Sequence, residues 1–267
     1  MISIQESVYL RCYDALMMND VDGKASAVFS LLEDWREGRL AMIAVPVVEI
    51  AQAGHPTKPE LVHPKQLKSR GLGSQEGRAS LLHAIAHIEF NAINLALDAV
   101  YRFQEMPKAF IDDWLGVAAE EAYHFQLVRE QLSRFGYDYG DFPAHNGLWE
   151  TTADTAFDVL VRMALVPRTL EARGLDVTPH MIKKLRAVGE VRAVEVLHIL
   201  LRDEVGHVAV GTHWFAYLCQ QRGLNRFDTF KSLIETYLRG DIKGPFNIEA
   251  RLEAGFTQQE MDWLLTR

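Results

Sequence analysis

The 267-residue chain has only two cysteines, Cys12 and Cys219, far apart in sequence. That excludes a disulfide scaffold, a four-cysteine zinc or rubredoxin-type iron site and a CxxC redox pair. Long apolar runs are missing as well: none approaches the ~18 residues that a membrane span requires. The opening, MISIQESVYLRCYDAL, has no basic stretch leading into an uninterrupted apolar one, so no secretory leader is read there and a cytoplasmic location is expected. Positive charge is in deficit. With 28 Lys and Arg against 36 Asp and Glu, the formal net charge is −8, which argues against wholesale binding to nucleic acid or an anionic membrane, since either needs a positive face. β-Branched runs are scarce; the one at residues 45–50 contains Pro46 and is too isolated to seed a sheet.

What is abundant is helical periodicity, in a chain whose 48% hydrophobic and 24% charged residues suffice for a sizeable core and leave no case for disorder. An all-α fold is expected, in three stretches: residues 1–73 as N-terminal helices and an arm, 74–222 as a four-helix bundle, and 223–267 as a helical tail. The N-terminal helices are predicted at about residues 4–17 and, after a cap at Asp22, 24–37. The arm is marked by Pro46, Gly54, Pro56, Pro59, Pro64, Gly71, Gly73 and Gly77, and carries Lys58, Lys65, Lys68 and Arg70. The long helices are predicted at about 74–104, 107–135, 151–173 with a stop at Gly174, and 178–221 with a start at Thr178–Pro179 and a break near Gly189. Shorter helices are expected at about 226–238, 247–253 and 258–265. Four long helices with one long crossover suggest a ferritin-like bundle, an architecture that fixes no activity by itself.

Acids interrupt the apolar stripes of these helices. Glu89 follows Leu82, Ile85 and Ala86 and precedes Ala92, Ile93 and Ala96; Glu121 and His124 follow Trp114, Val117 and Ala118. Glu171 lies on the line of Leu160, Ala164 and Pro167, and Glu204 and His207 on that of Leu197, Leu201, Val208 and Gly211. Ionised carboxylates in an apolar interior are costly unless compensated, and no Lys or Arg lies on these stripes. A Glu and a His three residues apart on a helix can grip one ion. The order Glu, ExxH, Glu, ExxH, with spacings of 121 − 89 = 32 and 204 − 171 = 33, is the arrangement of di-iron and di-manganese carboxylate proteins. Two divalent cations balance four glutamates, and the oxygen-and-imidazole set suits iron or manganese better than zinc. Glu120 and Asp203 precede the two ExxH motifs, and each is expected to anchor the imidazole of the other pair: Asp203 for His124, Glu120 for His207.

Other residues of the same chemistry have plainer readings. Glu195xxHis198 is about half a turn out of phase with Glu204 and reads as surface or inter-helix residues, with support of the metal ligands as the lesser alternative. His83, His87 and His213 read as packing histidines, with His87 alone near enough along its helix to approach the metal. GLGSQEG at residues 71–77 superficially has the look of a dinucleotide loop, but no strand precedes it. Phe135, Tyr137, Tyr139, Phe142 and Trp149 read as packing of the crossover, and Tyr101, Trp114 and Tyr123 as core aromatics that could pass electrons near a metal.

The segments HAIAHIEFNAINLALDAVYRF, EEAYHF, LVPRTLEARGLDVTP, RDEVGHV and GPFNIEAR resemble a bacterial ferritin-like family of unknown function. The resemblance covers most of the chain and implies a di-metal four-helix bundle with Glu89, Glu121, His124, Glu171, Glu204 and His207 as ligands. More distantly, the ligand order and the LEARG segment are similar to the tRNA hydroxylase that oxidises a hypermodified adenosine. The expected activity is that of an O2-activating oxidase or hydroxylase with two iron ions, or manganese or a mixed pair in their place. Its substrate would be a small molecule or modified nucleoside, and an external donor would supply electrons. Iron sequestration or peroxide detoxification is the alternative, and a metal-free interaction module the third. The basic arm is the one route to nucleic acid, no membrane partner is expected, and a homodimer is the base-rate expectation.

Overall fold

A computed structural model describes residues 6–68, 70–238 and 242–267. The fold is all-α, and no described helix is long and apolar enough to cross a membrane. The chain divides into two compact units, Met1–Ala153 and Asp154–Arg267.

In the first unit, α1 (Val8–Leu16) and α2 (Val21–Arg36) pack on α3 (Gln75–Arg102) and α4 (Lys108–Ser133) respectively, while α3 and α4 pack along each other. The start of the helix predicted at residues 4–17 falls outside the described residues. Side-chain caps set the starts. Ser7 caps α1, Asp20 rather than Asp22 caps α2 by accepting from the Gly23 N–H at 2.6 Å, and Ser74 caps α3 through the Gly77 N–H at 3.0 Å. Ser74 thus makes GLGSQEG a loop that enters a helix. Pro107 is the N-cap of α4, and Gly136, at φ +76°, turns the chain after its last turn. The core comprises Cys12, Leu16, Val28, Leu31, Leu82, Phe90, Ile93, Phe110, Trp114 and Phe125.

The arm is irregular, with a single 3-10 turn at Pro64–Gln66. Residues 45–50 form no strand. Extended pairing among the described residues is limited to the two-residue strands β1 (Glu6–Ser7) and β2 (Leu40–Ala41), parallel, and a bridge between Leu61 and Ala144. Helix α5 (Gly147–Asp154) leads up to the boundary.

The second unit corrects two predicted boundaries. No single helix covers residues 151–173: after α5 the chain turns and restarts at α6 (Val159–Leu165), capped by Asp158. It then runs through a π-helical turn at Val166–Glu171 into α7 (Ala172–Ala187) without stopping at Gly174 or starting anew at Thr178–Pro179. Gly174 lies inside the helix beside Glu204, where a Cβ would make ordinary contact with that carboxylate at 3.6 Å. Pro179 costs the helix a hydrogen bond to the Leu175 carbonyl, and the side chain of Asn247 donates to that carbonyl instead at 3.2 Å. The real boundary is Gly189, at φ +82°, after which α8 (Val191–Gln221) begins. Helix α8 packs against α6, the π turn and α7, where Gly211 leaves room for the Pro167 ring. Helices α9 (Arg226–Tyr237), α10 (Ile248–Glu253) and α11 (Gln258–Leu264) complete the unit.

Candidate metal centre

In the first unit Glu89 stands in the middle of α3, and Glu121 and His124 stand one turn apart on α4. All three are buried. The Nδ1 of His124 lies 3.4 Å from Glu89 Oε2 and 3.6 Å from Glu121 Oε2. Burial, together with the neighbouring charge of Glu121, holds the Glu89 carboxyl well above the usual range. Burial alone would lower the His124 imidazole, but hydrogen bonding to Glu121 and Glu89 outweighs it and raises the ring to about 11.

In the second unit Glu171 closes the π turn and is buried. Glu204 and His207 share one face of α8, with His207 Nδ1 3.2 Å from Glu204 Oε2. Because Glu204 abuts Gly174, one turn beyond Glu171, the carboxylates of α8 and of the π turn belong to facing helix surfaces.

Glu120 is exposed on α4. Asp203 is half-buried and accepts from the Arg202 guanidinium at 2.7 and 3.1 Å. Glu195 and His198 are exposed, Glu195 pairing with Arg192 at 2.8 Å. His83 accepts a hydrogen bond from the Gly140 N–H at 2.9 Å, and His87 bonds the Tyr139 hydroxyl at 2.9 Å and the His145 carbonyl at 3.0 Å. His213 is exposed beside Trp214. Tyr139 stacks among His83, His87, Phe90 and Phe125, so it and His87 fasten the crossover to α3. Lys58, Lys65 and Lys68 are exposed, and Arg70 pairs with Glu76 at 3.2 Å.

Buried cations went unread in the sequence. Lys24 donates to the carbonyls of Leu16 at 3.0 Å and Gly54 at 2.7 Å and to Asn94, and its ammonium, pushed down to about 7 by burial, lies over the Phe90 ring. A signal existed: Lys24, Val28, Leu31 and Trp35 form one helical stripe, which marks position 24 as inward-facing. The void bordered by Asn91, Asn94, Tyr139 and Asn146 is about 10 Å³, room for one water and not for an organic substrate.

Fold and residues together define the class: an all-α protein in which each unit carries a Glu and a Glu-x-x-His motif. The chain belongs to the family described as a protein of unknown function, DUF455, whose model matches residues 17–262. It is 52% identical over 219 residues to an uncharacterised protein of Haemophilus influenzae, covering 79% of this chain and 76% of that protein. No solved structure matches the chain.

Proposed function

We propose that this chain is a ferritin-like di-metal carboxylate protein that binds two iron ions, or manganese in their place, through Glu89, Glu121 and His124 and through Glu171, Glu204 and His207. The observation that carries this reading is the repetition of one donor set, two carboxylates and an imidazole, in each unit. Two carboxylates closing on a buried imidazole suit a divalent cation. Oxygen and imidazole donors without thiolate favour iron or manganese.

Such metals would supply redox chemistry with O2, directed at an organic substrate with electrons from an external donor. The protein's part is to hold the donors in a dry, preorganised interior; no separate acid, base or nucleophile is assigned.

Metal analysis of protein made in iron-replete cells, followed by absorption spectroscopy during O2 exposure, tests the reading. About two irons per chain are expected, with a spectral change on oxidation. Glu121→Ala and His207→Ala should each lower the bound metal; full metal content in both would remove the ligand assignment. Uptake of many irons per chain into a large hollow oligomer would instead favour sequestration.

A further inference from the structure

The helix that carries Glu171 is gripped by the C-terminal tail on both sides of that residue. Three residues before it, Arg168 is fully buried and donates to Glu260 at 2.8 Å, with the rings of Phe215, Phe230 and Phe256 at 4.6, 4.2 and 4.5 Å from its guanidinium carbon. One residue after it, the Ala172 carbonyl accepts from Arg251 at 3.3 Å. Two residues after it, Arg173 donates to the carbonyls of Lys243 at 2.9 Å and Pro245 at 3.1 Å. Five after it, the buried Asp176 carboxylate accepts two bonds from Arg251, at 2.9 and 2.7 Å, and one from the Asn247 N–H at 2.9 Å. Asn247 also takes the Leu175 carbonyl that Pro179 cannot serve.

These contacts fall on a stretch that would not hold its shape alone. A π turn is rare and occurs mostly as a single turn inserted within an α-helix. Pro167 inside this one and Pro179 downstream each remove a backbone donor. Buried charged pairs resist partial loosening, because separating them strands a charge in an apolar interior. The Arg168–Glu260 pair, walled by three phenylalanines, therefore fixes one end of the turn, and Asp176–Arg251 fixes the helix beyond it.

We propose that the tail, residues 243–260, is a positioning device for Glu171, with Glu260, Arg251 and Asn247 as positioning residues that hold the π turn in the shape that aims this carboxylate. The proposal rests on the reading of Glu171 as a metal ligand. It gives the tail a role that a minimal bundle lacks: moving the tail retunes the metal without any tail residue touching it.

The test uses the full chain and Co(II) alone as the probe, titrated while the ligand-field bands are recorded. Glu260→Gln keeps shape but removes the charge facing Arg168; it should weaken Co(II) binding about tenfold or more, the usual cost of losing a group that orients a ligand, and shift the bands. Arg173→Ala alters a half-exposed residue and keeps the fold measurable even where Glu260→Gln does not; it should weaken binding by a smaller factor with a band shift of the same sense, partly restored in Arg173→Lys. Wild-type affinity and bands in both Glu260→Gln and Arg173→Ala, with Glu171→Ala impaired, would overturn the positioning role while leaving the ligand assignment standing. A Glu171→Ala protein that binds Co(II) like wild type would overturn both.

Discussion

His83 and His124 carry the same ring and have opposite environments. His83 faces Gly140 and the rings of Tyr139 and Phe142, and burial pushes it down to about 4. His124 faces two carboxylates and is driven the other way. The difference has a measurable consequence for His83. Its folded value of about 4 lies below the ordinary imidazole value of 6.5, so between those two pH values the unfolded chain binds more protons than the folded one. Stability contributed by the neutral ring is therefore complete above pH ~6.5 and is lost as pH falls toward ~4, by about 2–3 kcal/mol. Urea denaturation of wild type and His83→Gln checks this: the wild-type midpoint should fall more steeply across that window, and parallel curves would refute it.

At the scale of elements, the joint between the π turn and α8 is made by glycines with different tasks. A Cβ on Gly211 would meet the Pro167 ring at 2.3 Å, whereas one on Gly174 would sit at an ordinary 3.6 Å from Glu204. Gly211→Ala should thus destabilise by about 1–3 kcal/mol through overpacking. Gly174→Ala should be neutral or gain up to ~1 kcal/mol from helix propensity. Thermal denaturation of the two variants distinguishes them, and equal stabilities would contradict the close packing of Pro167 on α8. Periodicity and caps made most elements legible beforehand, because Ser74, Pro107 and Gly189 act within a turn of their own position, whereas the Asp158 cap inside the helix predicted at 151–173 went unread. The π turn was not legible. Gly174 and Pro179 both read as punctuation, yet the helix runs straight through the first, and the second is tolerated because Asn247 takes over the Leu175 carbonyl.

For the whole molecule, a bound ion that stabilises the folded chain must raise its melting temperature by mass action. At a free metal concentration one hundred times the dissociation constant the gain is about 2.7 kcal/mol per site. For a chain of this size that corresponds to roughly 5–10 °C. Mn(II) added to chelator-stripped protein should give such a rise in calorimetry, and Glu121→Ala should blunt it; an unchanged transition would count against the metal reading. The same logic covers acid balance. Burial, and after it the charge of neighbouring Glu121, raises the Glu89 carboxyl, so these inward acids carry a cost that a bound cation would offset under the proposed reading.

The sequence by itself determined the all-α class, most helix starts and the candidate ligand positions, because each rests on signals confined to a few neighbouring residues: a cap, an apolar stripe, an acid breaking that stripe. Tertiary structure alone decided how Gly174 and Pro179 are used, where the cations Lys24, Arg168 and Arg251 are buried, and that the tail grips the helix of Glu171. The physical reason is distance along the chain. The donor that serves the Leu175 carbonyl comes from 72 residues away (247 − 175) and the acid that pairs with Arg168 from 92 (260 − 168), and no local pattern encodes a partner that only folding brings near.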